Sequence, residues 1–220
     1  MKLYNNNHQR RRAFTLFEGV IVVFVLALVA VVLLPALAAA KRKSSKINGC
    51  VNNLRVIGIA LRIWEGDNGD KFPMDVPAAL GGAQELIPTG NVAMCFQVMS
   101  NELGSPKFVN CPNDARHPMA TNWDLRSTNI SYFIGLNATD DGGPQTLLSG
   151  DANLALQGRA VGGGVVNLAT NLVTWTKDRH GDWGYILNAD GSVQAVLKMG
   201  TGRSTGFTPP YAATNRVVVP

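Results

Sequence analysis

The sequence predicts an α+β protein: one long N-terminal helix, then a head built on a small antiparallel sheet. Three observations predict it. Phe14–Ala40 runs almost without polarity. From Ile47 to Trp64, apolar residues recur at steps of three and four, which marks one face of a helix. Beyond residue 130, five short runs rich in aromatic and branched residues alternate with turn clusters.

The first stretch is bracketed by Arg10-Arg11-Arg12 and Lys41-Arg42-Lys43, and Glu18 is its only charge. A hydrocarbon core about 30 Å thick needs roughly 20 apolar helical residues, so this segment can span a bilayer. An isolated proline, Pro35, is tolerable there and can kink or loosen the helix. A lone carboxylate in such a setting is costly without a partner, which marks Glu18 as functional.

The stripe that follows is Ile47, Val51, Leu54, Ile57 or Gly58, Leu61 and Trp64, with Asn52, Asn53, Arg55 and Arg62 assigned to other faces. Gly66 and Asp67-Asn68-Gly69-Asp70 end the helix, and Pro73 opposes its resumption. A continuous helix from Phe14 to Glu65 would be about 78 Å long.

In the head, Val92, Phe96, Met99 and Leu103 form a short helical stripe stopped by Gly104-Ser105-Pro106. Lys107–Pro112 reads as a strand ending at a turn. The five sheet-forming runs are Ile130–Leu136, Thr146–Ser149, Leu172–Thr176, Trp183–Leu187 and Val193–Leu197. Asn188-Ala189-Asp190-Gly191 reads as the hairpin loop between the last two.

The chain has 220 residues and a formal charge of +5, with Gly 23 and Pro 11 pointing to a loop-rich head. Four basic residues precede Phe14 and four more lie between 41 and 46. From Ile47 onward 12 basic residues face 14 acidic ones. The basicity belongs to the flanks of the apolar run and does not argue for nucleic-acid binding. Three cysteines, Cys50, Cys95 and Cys111, allow at most one intrachain disulfide. Cys50–Cys111, tying helix to head, is expected over Cys95–Cys111, with buried free thiols as the remaining option. No CxxC, G-x-S-x-G, H-E-x-x-H or phosphate-loop motif occurs, so neither an enzyme nor a zinc site is expected.

Arg11-Arg-Ala-Phe-Thr-Leu-Phe-Glu18 resembles the processing site of type IV prepilins and type II secretion pseudopilins, which usually carry Gly then Phe-Thr-Leu-Ile-Glu. Ala13 stands for the Gly and Phe17 for the aliphatic residue. The resemblance implies a pilin-like fold and cleavage between Ala13 and Phe14 by a prepilin peptidase that methylates the new amine. The parts would then be a leader (1–13), a membrane and assembly half (14–40), an amphipathic half (41–66) and a head (67–220). It also implies an inner-membrane protein with a cytoplasmic N-terminus and a periplasmic head. The implied partners are other pilin-like subunits and an inner-membrane assembly platform, in a pilus or pseudopilus. Glu18 would neutralise the Phe14 amine of a neighbour, because an unpaired charge among apolar helices is expensive.

Cys50–Gly58, Asp67–Pro73, Phe96–Leu103, Cys111-Pro112 and Ile130–Leu136 resemble pilin-like proteins abundant in planctomycete and verrucomicrobial bacteria. So does His180, followed by nine residues and Asp190-Gly191. The rival readings are a soluble binding module or enzyme released by cleavage after Ala38 or Ala40, and a permanently anchored surface protein.

The remaining candidates read as structural. His180 is expected well down one strand, away from an Asp190-Gly191 turn. Asp67, Asp70, Asp140 and Asp141 could hold calcium, as some pseudopilin heads do, but lack EF-hand spacing, so solvated turns are expected. Gly162-Gly163-Gly164 reads as a flexible turn.

Overall fold

The computed structural model describes residues 15–139, 143–168, 173–181, 183–197 and 215–220. Backbone contacts divide the chain into Met1–Ser44 and Ser45–Pro220. Helix α1, Leu16–Asp67, begins in the first unit and ends in the second. Between Leu16 and Ser44 all its residues are exposed except half-buried Gly19. This stretch is long and apolar enough to cross a membrane.

In the second unit α1 turns amphipathic. Cys50, Leu54, Ile57, Gly58, Leu61 and Trp64 are buried, while Ile47 and Val51, expected on the same face, are partly buried at its margin. Asn53 corrects the sequence reading. It lies on the buried side, where its Nδ2 donates to the Asn110 carbonyl at 2.7 Å. A buried amide is tolerable once hydrogen-bonded, and hydropathy spacing cannot detect such a bond.

After α1 come three short 3₁₀ turns, Pro73–Asp75, Ala78–Leu80 and Gln84–Thr89. Helices α2 (Val92–Val98) and α3 (Ser100–Leu103) share the predicted stripe but part at Met99. Lys107–Asn110 is not a strand. Pro106–Val109 forms a 3₁₀ turn, with Pro106 at its start and the Asn110 N–H bonded to the Lys107 carbonyl. Proline presets the φ that such a turn needs.

The strands are β1 (Tyr132–Gly135), β2 (Leu147–Asp151), β3 (Leu154–Leu156), β4 (Arg159–Ala160), β5 (Gly164–Asn167), β6 (Val173–Trp175), β7 (Trp183–Asn188), β8 (Val193–Leu197) and β9 (Arg216–Val219). They form two antiparallel sheets where the sequence reading expected one. The larger has the order β5-β9-β1-β2-β7-β8, and the smaller β4-β3-β6. Gly164, read as part of a flexible turn, opens β5 opposite Val219.

All residues of β1 and β2 are buried, so the centre of the larger sheet is covered on both faces, while its edge strands β5 and β8 carry exposed positions. Tyr132, Ile134, Leu187 and Val218 join α1 and α2 in one core. Their neighbours Phe133, Ile186, Val217 and Val219 face Leu154, Val173 and Trp175 of the smaller sheet in a second. Gly184 makes the second contact close: a Cβ there would fall 1.7 Å from Trp175 Nε1.

Candidate functional site

Ala13 and Phe14 lie outside the described residues. The helix start beside them is specified by side chains. The Thr15 N–H and hydroxyl donate to Glu18 Oε2 at 2.8 and 3.0 Å, and the Glu18 N–H donates back to Thr15 Oγ1 at 3.3 Å. This reciprocal capping box satisfies backbone donors that a helix N-terminus leaves open. Glu18 therefore has a partner within its own chain. Its remaining capacity faces outward, because the side chain is exposed. Pro35 lies inside α1, which continues on both sides of it.

In the head, Cys50 and Cys111 form a disulfide that joins α1 to the second residue beyond the Pro106–Val109 turn. Cys95 is a buried free thiol, pushed up to about 12 by burial and by Asp75. Around the disulfide three loops and α1 interlock. The Asn110 side chain donates to the His117 carbonyl at 2.8 Å. Asn113 Nδ2 donates to the Arg179 carbonyl at 2.5 Å. His180, fully buried at its side chain, places Nε2 3.4 Å from Cys111 Sγ and 3.5 Å from Asp151 Oδ2. Its ring stands edge-on to Tyr185, with centroids 5.3 Å apart.

Arg179 is the charge that makes this arrangement affordable. Its guanidinium lies 2.6 Å from Asp114 Oδ2 and 3.9 Å from Asp151 Oδ1, and it donates to the Ser131 carbonyl. Asp114 also accepts from Ser131 Oγ at 2.8 Å and pairs with His117 Nδ1 at 2.7 Å. Asp151 Oδ2 accepts the Tyr185 N–H at 2.8 Å. Burial pushes Asp114 up, but Arg179 and the bonds from His117, Ser131 and the Arg116 backbone outweigh it and hold the carboxyl below its usual range. Burial pulls Arg179 down from its ordinary value, against the opposing pull of Asp151 and Asp114.

The structure separates His180 from Asp190, but not as the sequence implied. His180 is in the turn before β7, not on a strand, and it meets Asp151 and Cys111. Asp190 and Gly191 close the β7–β8 hairpin: Asp190 Oδ1 accepts the Ser192 N–H at 2.8 Å, and Gly191 has φ +81°. Bonds from Ser192 lower the Asp190 carboxyl from its usual value. Arg62 of α1 donates to the Ala189 carbonyl and so pins this hairpin to the helix.

Asp67 and Asp70 are exposed at the end of α1, and Asp140 and Asp141 lie outside the described residues. Among the described residues, the His, Cys and carboxylate groups that converge as metal ligands could are Cys50, Cys111 and His180. The two sulfurs there are consumed by the disulfide. A cavity of about 230 Å³ opens beside the cluster, bordered by Arg116, His117, Asn153, Thr176, Asp178 and Arg179. On its border the Thr176 hydroxyl donates to Asp178 Oδ2 at 2.5 Å, and Arg116 pairs with the same carboxylate at 3.2 Å. The cluster's evident chemistry is to bind three loops and a helix into one unit.

Sequence reasoning missed Asp114, Asp151 and Arg179, whose meeting is tertiary and leaves no local spacing. It also missed the capping box, which Thr15-Leu-Phe-Glu18 spells out. No protein-family model matches the chain, and neither does any curated protein or solved structure.

Proposed function

We propose that this chain is a structural, pilin-like subunit, cut after Ala13 and drawn by its apolar helix into a type IV pilus or a type II secretion pseudopilus. In this role it needs no catalytic residue and no resident cofactor. The carrying observation is the stretch from Leu16 to Ala40: apolar on every side, uncovered by its own chain, and bearing one carboxylate at its start. A helix of that kind requires lipid or neighbouring helices around it. Glu18 supplies the register, pairing with the Phe14 amine of an adjacent subunit. The disulfide-tied head supports the same reading, since disulfides persist outside the cytoplasm.

Two substitutions test the role of Glu18. Glu18→Gln keeps an acceptor for the capping box and removes the charge; Glu18→Ala removes both. We expect both variants to remain in the membrane fraction and to yield at least about tenfold fewer sheared filaments, the order set by an unpaired charge worth about 1.4 kcal/mol or more. Wild-type filament yield from Glu18→Gln would leave the carboxylate with capping alone and reject the register role.

A further inference from the structure

We infer that His180 makes the Cys50–Cys111 disulfide chemically one-sided, selecting Cys111 as the sulfur that leaves and returns as thiolate while Cys50 is the sulfur attacked. The inference is independent of filament assembly and requires only that the chain meet thiols or disulfide donors.

The geometry carries it. His180 Nε2 is 3.4 Å from Cys111 Sγ. Asn113 fixes which ring nitrogen bears the proton. Its Nδ2 donates to the Arg179 carbonyl at 2.5 Å, so its N–H side faces this turn, and the same Nδ2 stands 3.4 Å from His180 Nδ1. Nδ1 is thereby the acceptor, and the proton resides on Nε2, directed at Cys111 Sγ and Asp151 Oδ2. A hydrogen bond to the charged form of a group favours that form, so the Nε2–H stabilises a thiolate on Cys111. The imidazole also lies within 4.8 Å of Cys50 Sγ, but its contact at hydrogen-bond range is to Cys111 Sγ; the Tyr132 hydroxyl meets the Cys50 carbonyl oxygen at 3.5 Å.

The charged and titratable groups of this pocket come from every element around it. Among the described residues they are Asp151 at the end of β2, Arg179 beside His180, Asp114 after Cys111 with His117 paired to it, Tyr132 on β1 and Tyr185 on β7. Asp151 is partly compensated by the Tyr185 N–H and by Arg179.

The exchange balances simply. An external thiolate attacks Cys50 Sγ, an S–S bond forms between them, the Cys50–Cys111 bond breaks, and its electron pair leaves on Cys111 Sγ beside the Nε2–H. Formation of the disulfide is the reverse: the Cys111 thiolate attacks a mixed disulfide on Cys50, left there by a disulfide donor such as oxidised glutathione, and expels the donor's thiolate. Both sulfurs are buried, so the step belongs to a chain opened locally or still closing.

The test compares the full-length Cys50→Ser and Cys111→Ser chains in detergent, following thiolate absorbance near 240 nm against pH. The doubly substituted chain is the blank, carrying the tyrosines and Cys95, whose thiol stays protonated up to about 12. Both thiols are buried, which raises each, so the expected result is a difference: Cys111 ionises about one pH unit or more below Cys50. His180→Gln, which retains an N–H, should keep much of the Cys111 shift, and His180→Phe should lose it. Because the two serine chains leave His180 in place, their comparison stands even where a His180 variant fails to fold. Equal titration of Cys50 and Cys111, or an earlier titration of Cys50, overturns the inference.

Discussion

Leu16–Ser44 and Ser45–Asp67 are consecutive parts of one helix, yet they need different surroundings. The first is apolar on all sides from Val20 to Ala40, and all of it is exposed except half-buried Gly19. The second is less apolar and buries a stripe from Cys50 to Trp64, reinforced by the Asn53 bond and the disulfide. The difference teaches that apolar content alone says only that a helix must be covered. Spacing says whether its own chain covers it. A helix with one apolar face finds its partner within the fold, whereas one apolar all round must find lipid or other helices.

The sharpest way to break this comparison is a pair of equal truncations, one in each half. Leu61 is fully buried and Leu28 is 55% exposed. Leu61→Ala should cost about 2–5 kcal/mol of head stability, the usual range for a buried leucine, whereas Leu28→Ala should stay within about 0.5 kcal/mol. Denaturant unfolding of the full chain in detergent, followed by tryptophan fluorescence, reads both. Similar losses from the two would erase the distinction.

How far the sequence showed these regions follows from how local their causes are. The end of α1, the Asn188–Gly191 hairpin and the strands β1, β2, β6, β7 and β8 were legible, because turn residues and branched runs mark them locally. β3 and β4 were not: they are two or three residues long and rich in alanine. Nor were β5 and β9, which pair with each other across a long stretch of chain. Without β3 and β4 the second sheet stayed hidden, although Trp175 had to pack against something. At the site, Glu18 was legible as a lone charge in an apolar run. Arg179 was not, since only folding brings it to Asp114 and Asp151.

A smaller effect sharpens the head's side of the comparison. Asp114 is held below its usual range in the folded head, so its contribution is present above the unfolded value of about 3.9 and is lost as pH falls through the lower folded value. Head stability should therefore decline on acidification below about pH 4, and less steeply in Asp114→Asn. The helical content of Leu16–Ser44, which carries no such buried pair, should be indifferent over the same range. An unchanged acid slope in Asp114→Asn would move the titrating group elsewhere.

The central claim is that the uncovered half of α1 stays with the finished protein. N-terminal sequencing and intact mass of the mature chain, recovered from bacterial membranes, test it most directly. The expected product begins at Phe14 and carries one added methyl group on its amine. A soluble product beginning at residues 39–41, or a chain still starting at Met1, would contradict it.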